Sequence, residues 1–328
     1  MPALLLSLLV AQVSVDARDA RLADVFADLA RQSGEAFELD AALRDAKVTV
    51  ALKGAPVLEA ADAVCRAHGG CRLVAPLYGG AFLVAPGPAS TAPAATCGAM
   101  RLRLAGARAT RTTDFHGTRH DQLALDFHLL WERRAAPGAL RIRASDASDD
   151  TGASLLRADD PELVRTAGRP AQIHAGTLVL RHPLAAAKRL SKLVVDVEAW
   201  TAGASTDIAV GSLAAGAAAD FEGGRAALTR ASRSGAAWTG VLEVTFPKPD
   251  DGAPLAPADR LASVALTGPD GRSHPAAVVT ALVRDGRLAV ELAAQNLPAG
   301  EFTALRARWI RRFEKSDARF ALKDVELP

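Results

Sequence analysis

Three histidines, His116, His120 and His128, fall within a 13-residue window, in Asp114-Phe-His-Gly-Thr-Arg-His-Asp and Asp126-Phe-His. Zinc asks for three or four convergent ligands on rigid elements, each steadied by a second hydrogen-bonded partner. Gly117 and Thr118 instead put the first pair in a loop, and His128 alternates with Phe127 and Leu129 on the solvent side of a strand. Turn and surface histidines explain this better than a metal site. Asp146, Asp149, Asp150, Asp159 and Asp160 invite calcium, because hard cations collect carboxylates. Their spacing, Asp-Ala-Ser-Asp-Asp-Thr-Gly, does not follow the helix-loop-helix calcium pattern, and aspartate is an ordinary turn residue. Arg306, Arg308, Arg311 and Arg312 surround Trp309 and Phe313. On a strand, Leu305, Ala307 and Trp309 point one way and Arg306 and Arg308 the other, a core face beside a solvated one. The sequence has no Gly-x-Ser-x-Gly, no phosphate-binding Gly-x-x-x-x-Gly-Lys, no Gly-x-Gly-x-x-Gly after a strand and no His-Glu-x-x-His. No catalytic, cofactor-binding or metal-ligating residues are assigned, and no cofactor is expected.

Cys65 and Cys71 are a disulfide candidate, since one ends a helical pattern and the other begins the next strand. Closing so short a loop stabilises by roughly 2 to 3 kcal/mol. Two buried thiols are the alternative, and Cys97 is left over. The apolar run 1–11 is too short to span a bilayer. It has the character of a secretory signal cleaved near Ala11, without a basic leader, which a start placed too far downstream would explain. An exported, periplasmic location is expected, with no membrane span after signal removal.

Composition narrows the partners. The 328 residues are 49% apolar and 23% charged, with 39 basic against 37 acidic side chains, a net charge of +2. That balance gives no electrostatic basis for binding nucleic acid. Aromatics at 5% also disfavour a base-stacking or carbohydrate platform.

The elements that would position any site start with residues 12–87. Val13, Val15 and Ala17 alternate with polar residues as in a half-buried strand. Leu22, Val25, Phe26, Leu29 and Ala30 then line one side of a helix, with Asp19 as N-cap and Gly34 as stop. Ala36–Asp40 and Lys47–Leu52 are strand-like, Pro56 to His68 is a second helix, and Cys71–Leu77 pairs with Gly80–Ala85 through Tyr78-Gly79-Gly80. The predicted order is βαββαββ.

This stretch resembles the short N-terminal (STN) domain of secretins and of some TonB-dependent receptors. The residues carrying the likeness are Val13-Ser-Val-Asp-Ala17, Leu22-Ala-Asp-Val-Phe26, Leu29-Ala-Arg-Gln-Ser-Gly34, Phe37, Asp40, Val48-Thr-Val50 and Gly54-Ala-Pro-Val-Leu-Glu-Ala60. The resemblance implies protein contact, docking parts of a transport machine or reaching a signalling partner, and brings no catalytic residues. No secretin pore or series of outer-membrane strands follows it.

Residues 88–97 have the composition of a Pro/Ala linker. Beyond it, alternating runs such as Leu123, Leu125, Phe127, Leu129, Trp131 and Val195, Val197, Ala199 predict strands at the spacing of immunoglobulin-like sandwiches. A second unit repeats the order, Trp238–Phe246 paralleling Leu123–Trp131. The expected fold is α+β: a small βαββαββ N-terminal domain (12–87), then two all-β Ig-like sandwich units at 98–204 and 205–328. The expected function is a non-catalytic protein-binding or assembly module of the bacterial envelope whose partner is another envelope protein. The alternative is an envelope enzyme or metal- or ligand-binding protein with its site on loops 114–126 or 146–160.

Overall fold

Val13, Val15 and Ala17 are buried in alternation along β1 (Gln12–Arg21), the first strand of a computed structural model. It describes residues 12–76, 80–113, 115–116, 119–157, 162–166, 171–183, 186–246, 249, 251–268, 270–284 and 286–328. The signal-like run 1–11, the turn residues Tyr78 and Gly79, and Asp114, Gly117, Thr118, Asp159 and Asp160 lie outside them.

After β1 come α1 (Leu22–Ser33), β2 (Phe37–Leu39), β3 (Lys47–Pro56), α2 (Val57–His68), β4 (Cys71–Val74) and β5 (Phe82–Pro86). Both helices bury one apolar stripe and end on a left-handed glycine. Gly34 (φ 76°) donates its N–H to Ala30 O, and Gly69 (φ 78°) to Cys65 O. Asp19 is not the cap of α1. It sits inside β1 and pairs with Lys47 at 2.5 Å, while the first helical N–H, that of Leu22, reaches Ala46 O at 2.7 Å.

The expected α+β class is corrected. Strands hold 60% of the described residues, in six sheets with only two α-helices, so the chain is mostly β. The N-terminal strands do not form one mixed sheet with two helices behind it. Among the described residues β1 pairs only with β3, and β5 lies between β2 and β4 in a second sheet. The strands divide because both apolar faces, Val13 and Val15 on one and Leu73, Phe82 and Val84 on the other, close on one core with Phe26, Leu58 and Val64.

Next come β6 (Ala94–Cys97), β7 (Met100–Thr113), β8 (Arg119–Trp131), β9 (Pro137–Asp149), β10 (Glu162–Arg165), β11 (Ile173–Arg181) and β12 (Arg189–Ala202). The expected linker 88–97 is therefore strand at its end. β6 pairs with β7, and Ala95 and Cys97 pack on the sandwich core. The second sandwich uses β13 (Ser205–Val210), β14 (Ala218–Phe221), β15 (Gly224–Ser234), β16 (Ala237–Thr245), β17 (Leu261–Thr267), β18 (Ser273–Pro275), β19 (Ala277–Arg284), β20 (Arg287–Ala294) and β21 (Ala304–Ile310). Its sheets run β13-β21-β17-β18 and β14-β15-β16-β20-β19.

The boundary 205–328 is also corrected. β22 (Phe313–Leu322) and β23 (Val325–Glu326) return to the first sandwich, giving sheets β11-β8-β7-β6 and β10-β9-β12-β22, with β23 on β12. Ala318, Phe320 and Leu322 alternate into its core against Val195 and Val197 of β12.

Two polar joints fasten the units. At the first, Glu35 is buried and accepts from the Arg133 N–H at 2.6 Å and from Gln172 Nε2 at 3.0 Å. Nearby, Arg101 Nε lies 2.8 Å from Asp62 Oδ2, an ion contact without the N–H aimed at the oxygen. Glu132 is also buried there. Its burial pushes the carboxyl above the usual range, against the pull of Arg134. At the second joint, Ala139, Trp200, Ile310 and Phe313 form a small core of their own. Beside it Arg260 Nη2 meets Asp251 Oδ1 at 2.7 Å and Oδ2 at 2.9 Å, and its Nη1 donates to Arg311 O at 3.0 Å. Phe313 N–H completes the clamp on Asp251 Oδ2 at 2.8 Å.

Candidate functional site

The run Ala277-Val-Val-Thr-Ala-Leu-Val283 carries no charge, proline or glycine, and its β-branched residues favour an extended chain. It forms β19, the edge of its sheet, and among the described residues it pairs only with β20. Val278, Ala281 and Val283 sit opposite Leu292, Val290 and Leu288, so they lie on the inner side. Val278 and Val283 are nevertheless 46% and 53% exposed. The facing sheet ends in the three-residue strand β18, against eight residues in β19. On the outer side Val279 is 64% and Leu282 68% exposed. Four of the eight exposed large apolar side chains among the described residues are thus on this one strand, a concentration that scattered surface apolarity does not produce.

A groove of about 530 Å³ adjoins it on the outer face of the sheet. Thr239, Val241 and Ala293 form its floor and Val279 one wall. Arg230 and Glu291 flank Val241 in register, one on each neighbouring strand. Breaks in register at Leu228/Arg230 and Val278/Thr280 mark bulges on either side of this floor, and bulges bend a sheet locally. The surface offers apolar contact, an unpaired row of backbone donors and acceptors, and one charge of each sign. Those are the ingredients of strand addition by an extended segment.

No family model matches the chain, and no curated protein matches it. Function therefore rests on the geometry of the site.

The residues singled out by sequence do not gather there. His116 lies in an exposed turn, and the side chain of His120 lies outside the described residues. His128 is half-buried on β8 with Nδ1 unpartnered, and burial, then the charge of Arg103, lowers its pKa. Among the described residues no group of three or more His, Cys, Asp or Glu could hold a metal ion. Asp146 pairs with Lys192 at 2.5 Å. Asp149 Oδ1 accepts from the N–H groups of Thr151 and Ala153, and Asp150 from that of Lys188. These three aspartates act as strand and turn partners. Trp309 is buried against Phe246, with ring centroids 5.0 Å apart, while Arg308 pairs outward with Asp207. Cys65 and Cys71 are both buried in the N-terminal core.

β19 itself was missed. Its signal was present: a continuous apolar run predicts a strand buried on both faces, and this one is open on both.

Proposed function

We propose that the chain is an exported, non-catalytic docking module of the bacterial envelope, and that it takes its partner by strand addition at β19. The observation that carries this is an edge strand uncharged from Ala277 to Val283 with large apolar side chains exposed on both faces. A charged segment paired along β19 would lose hydration against Ala277–Val283, which carry no charge, since the groove's Glu291 and Arg230 stand on β20 and β15. The occupant is therefore an extended, uncharged, apolar segment of another envelope protein. The resemblance of residues 12–87 to secretin and TonB-receptor N-terminal domains supports a docking role, and the apolar run 1–11 supports export. Among the described residues, no helix is long and apolar enough to cross a membrane.

A photo-crosslinking residue at Leu282, compared with one at Leu163 on the edge strand β10, tests the reading in the source cells. Leu163 is 43% exposed and far along the chain from β19. One discrete protein adduct from position 282 and none from 163 is expected. An adduct with a second copy of this chain would make the occupant the protein itself. Equal or absent labelling at the two positions would refute the site.

A further inference from the structure

We infer that Cys65 and Cys71 are a disulfide site, closed during folding by exchange with an external disulfide such as oxidised glutathione or an oxidised protein dithiol. The backbone brings the pair together. Cys65 lies in the last turn of α2 and its carbonyl accepts the Gly69 N–H at 2.9 Å. At Gly69 the chain turns back in the left-handed region, Gly70 O accepts the Gly87 N–H at 3.1 Å, and Cys71 opens β4 opposite Pro86. The two side chains are free thiols buried in one core, at 2% and 0% exposure, and close enough to interact. Contact with Cys65 lowers the Cys71 thiol against the effect of burial and contact with Cys71 raises Cys65, a bias toward first attack by Cys71 once local opening admits the oxidant.

The exchange balances in two steps. Cys71, as thiolate, attacks one sulfur of R–S–S–R. The S–S bond breaks, and the departing RS⁻ is protonated by Cys65. The Cys65 thiolate then attacks the Cys71 sulfur of the mixed disulfide and expels the second RS⁻, which takes up the proton Cys71 first released to water. Two thiol hydrogens and two electrons leave this chain as two RSH. Burial restricts the oxidant to the stage before α2 docks, or to local opening of its end. Cys97 is a poor competitor, because it packs on the core of the first sandwich and not on that of the N-terminal unit.

The full chain, equilibrated at low urea in glutathione redox buffer or in excess dithiothreitol, is unfolded, alkylated and weighed. Three of three cysteines should be modified after dithiothreitol, but only Cys97 after redox buffer, with a linked peptide containing Cys65 and Cys71. The oxidised chain should also unfold at higher urea than the reduced one, a difference that vanishes in Cys65→Ala and in Cys71→Ala. Three alkylated cysteines in redox buffer, or a bridge to Cys97, would overturn the inference. A Cys97→Ser variant that still closes the bridge would confirm the pairing. Because the inference does not involve β19, it stands or falls apart from the docking site.

Discussion

Deleting Phe313–Pro328 is expected to unfold the first sandwich, although that sandwich begins more than two hundred residues earlier in the chain. The segment supplies β22 and β23, both paired to β12, and removes Ala318, Phe320, Leu322 and Val325 from the core. Burying a large apolar side chain is worth about 1.5 to 3 kcal/mol, so losing Phe320, Leu322 and Val325 removes about 5 to 9 kcal/mol, comparable with the roughly 5 to 15 kcal/mol that holds a domain folded, before the lost pairing along β12 is counted. The truncated chain should lose the near-ultraviolet dichroism of Trp131 and should be cleaved rapidly by protease between 98 and 204. If that span instead remains protected, the sandwiches are consecutive and independent, and the return of the chain terminus is wrong.

Asp251→Ala is the second large effect. Arg260 is 2% exposed and would be left buried with no counter-ion, a loss of about 3 to 5 kcal/mol. The N–H groups of Phe313 and Ala253 would lose their acceptor as well. Replacing both partners, with Asp251→Leu and Arg260→Met, should recover much of that, because the cost lies in the orphaned charge more than in the missing pair. Urea midpoints measure both; a shift below about 1 kcal/mol in the single variant would show that water reaches the arginine. The same carboxylate sets an acid limit. Burial raises its pKa, but the bonds from Arg260, Phe313 and Ala253 prevail and hold it below the ordinary 3.8. A depressed folded-state pKa means that stability is fully present above the unfolded value and is lost as pH falls through the folded one. The wild type should therefore lose stability below about pH 4 more steeply than Asp251→Asn, which has no proton to take up there.

Local pattern was legible wherever local forces decide structure. The three-and-four spacing of Leu22, Val25, Phe26 and Leu29 marks α1, and Gly34 and Gly69 mark both helix ends. The proximity of Cys65 to Cys71 also follows from a helix exit next to a strand start. Pairing partners were not legible. Alternation along Ala318, Phe320 and Leu322 fixes which face is buried but not which sheet receives it, so the closing strand was placed with its neighbours in sequence. Asp19 looked like a cap because the bulged extension of β1 to Arg21 depends on β3, far along the chain. Arg260 resembled any other arginine of an arginine-rich chain. Its burial needs Asp251 and Phe313, which only the fold brings together. The exposure of β19 on both faces depends on what the facing sheet sets against it, which the apolar run itself does not contain.

Amide exchange along β19, in the full chain alone and with the protein crosslinked at position 282, tests the docking role most directly. The amides of Ala277–Val283 that point away from β20 should exchange quickly in the free chain and become protected in the complex, because strand addition must satisfy them. Unchanged exchange there, with new protection elsewhere, would contradict it.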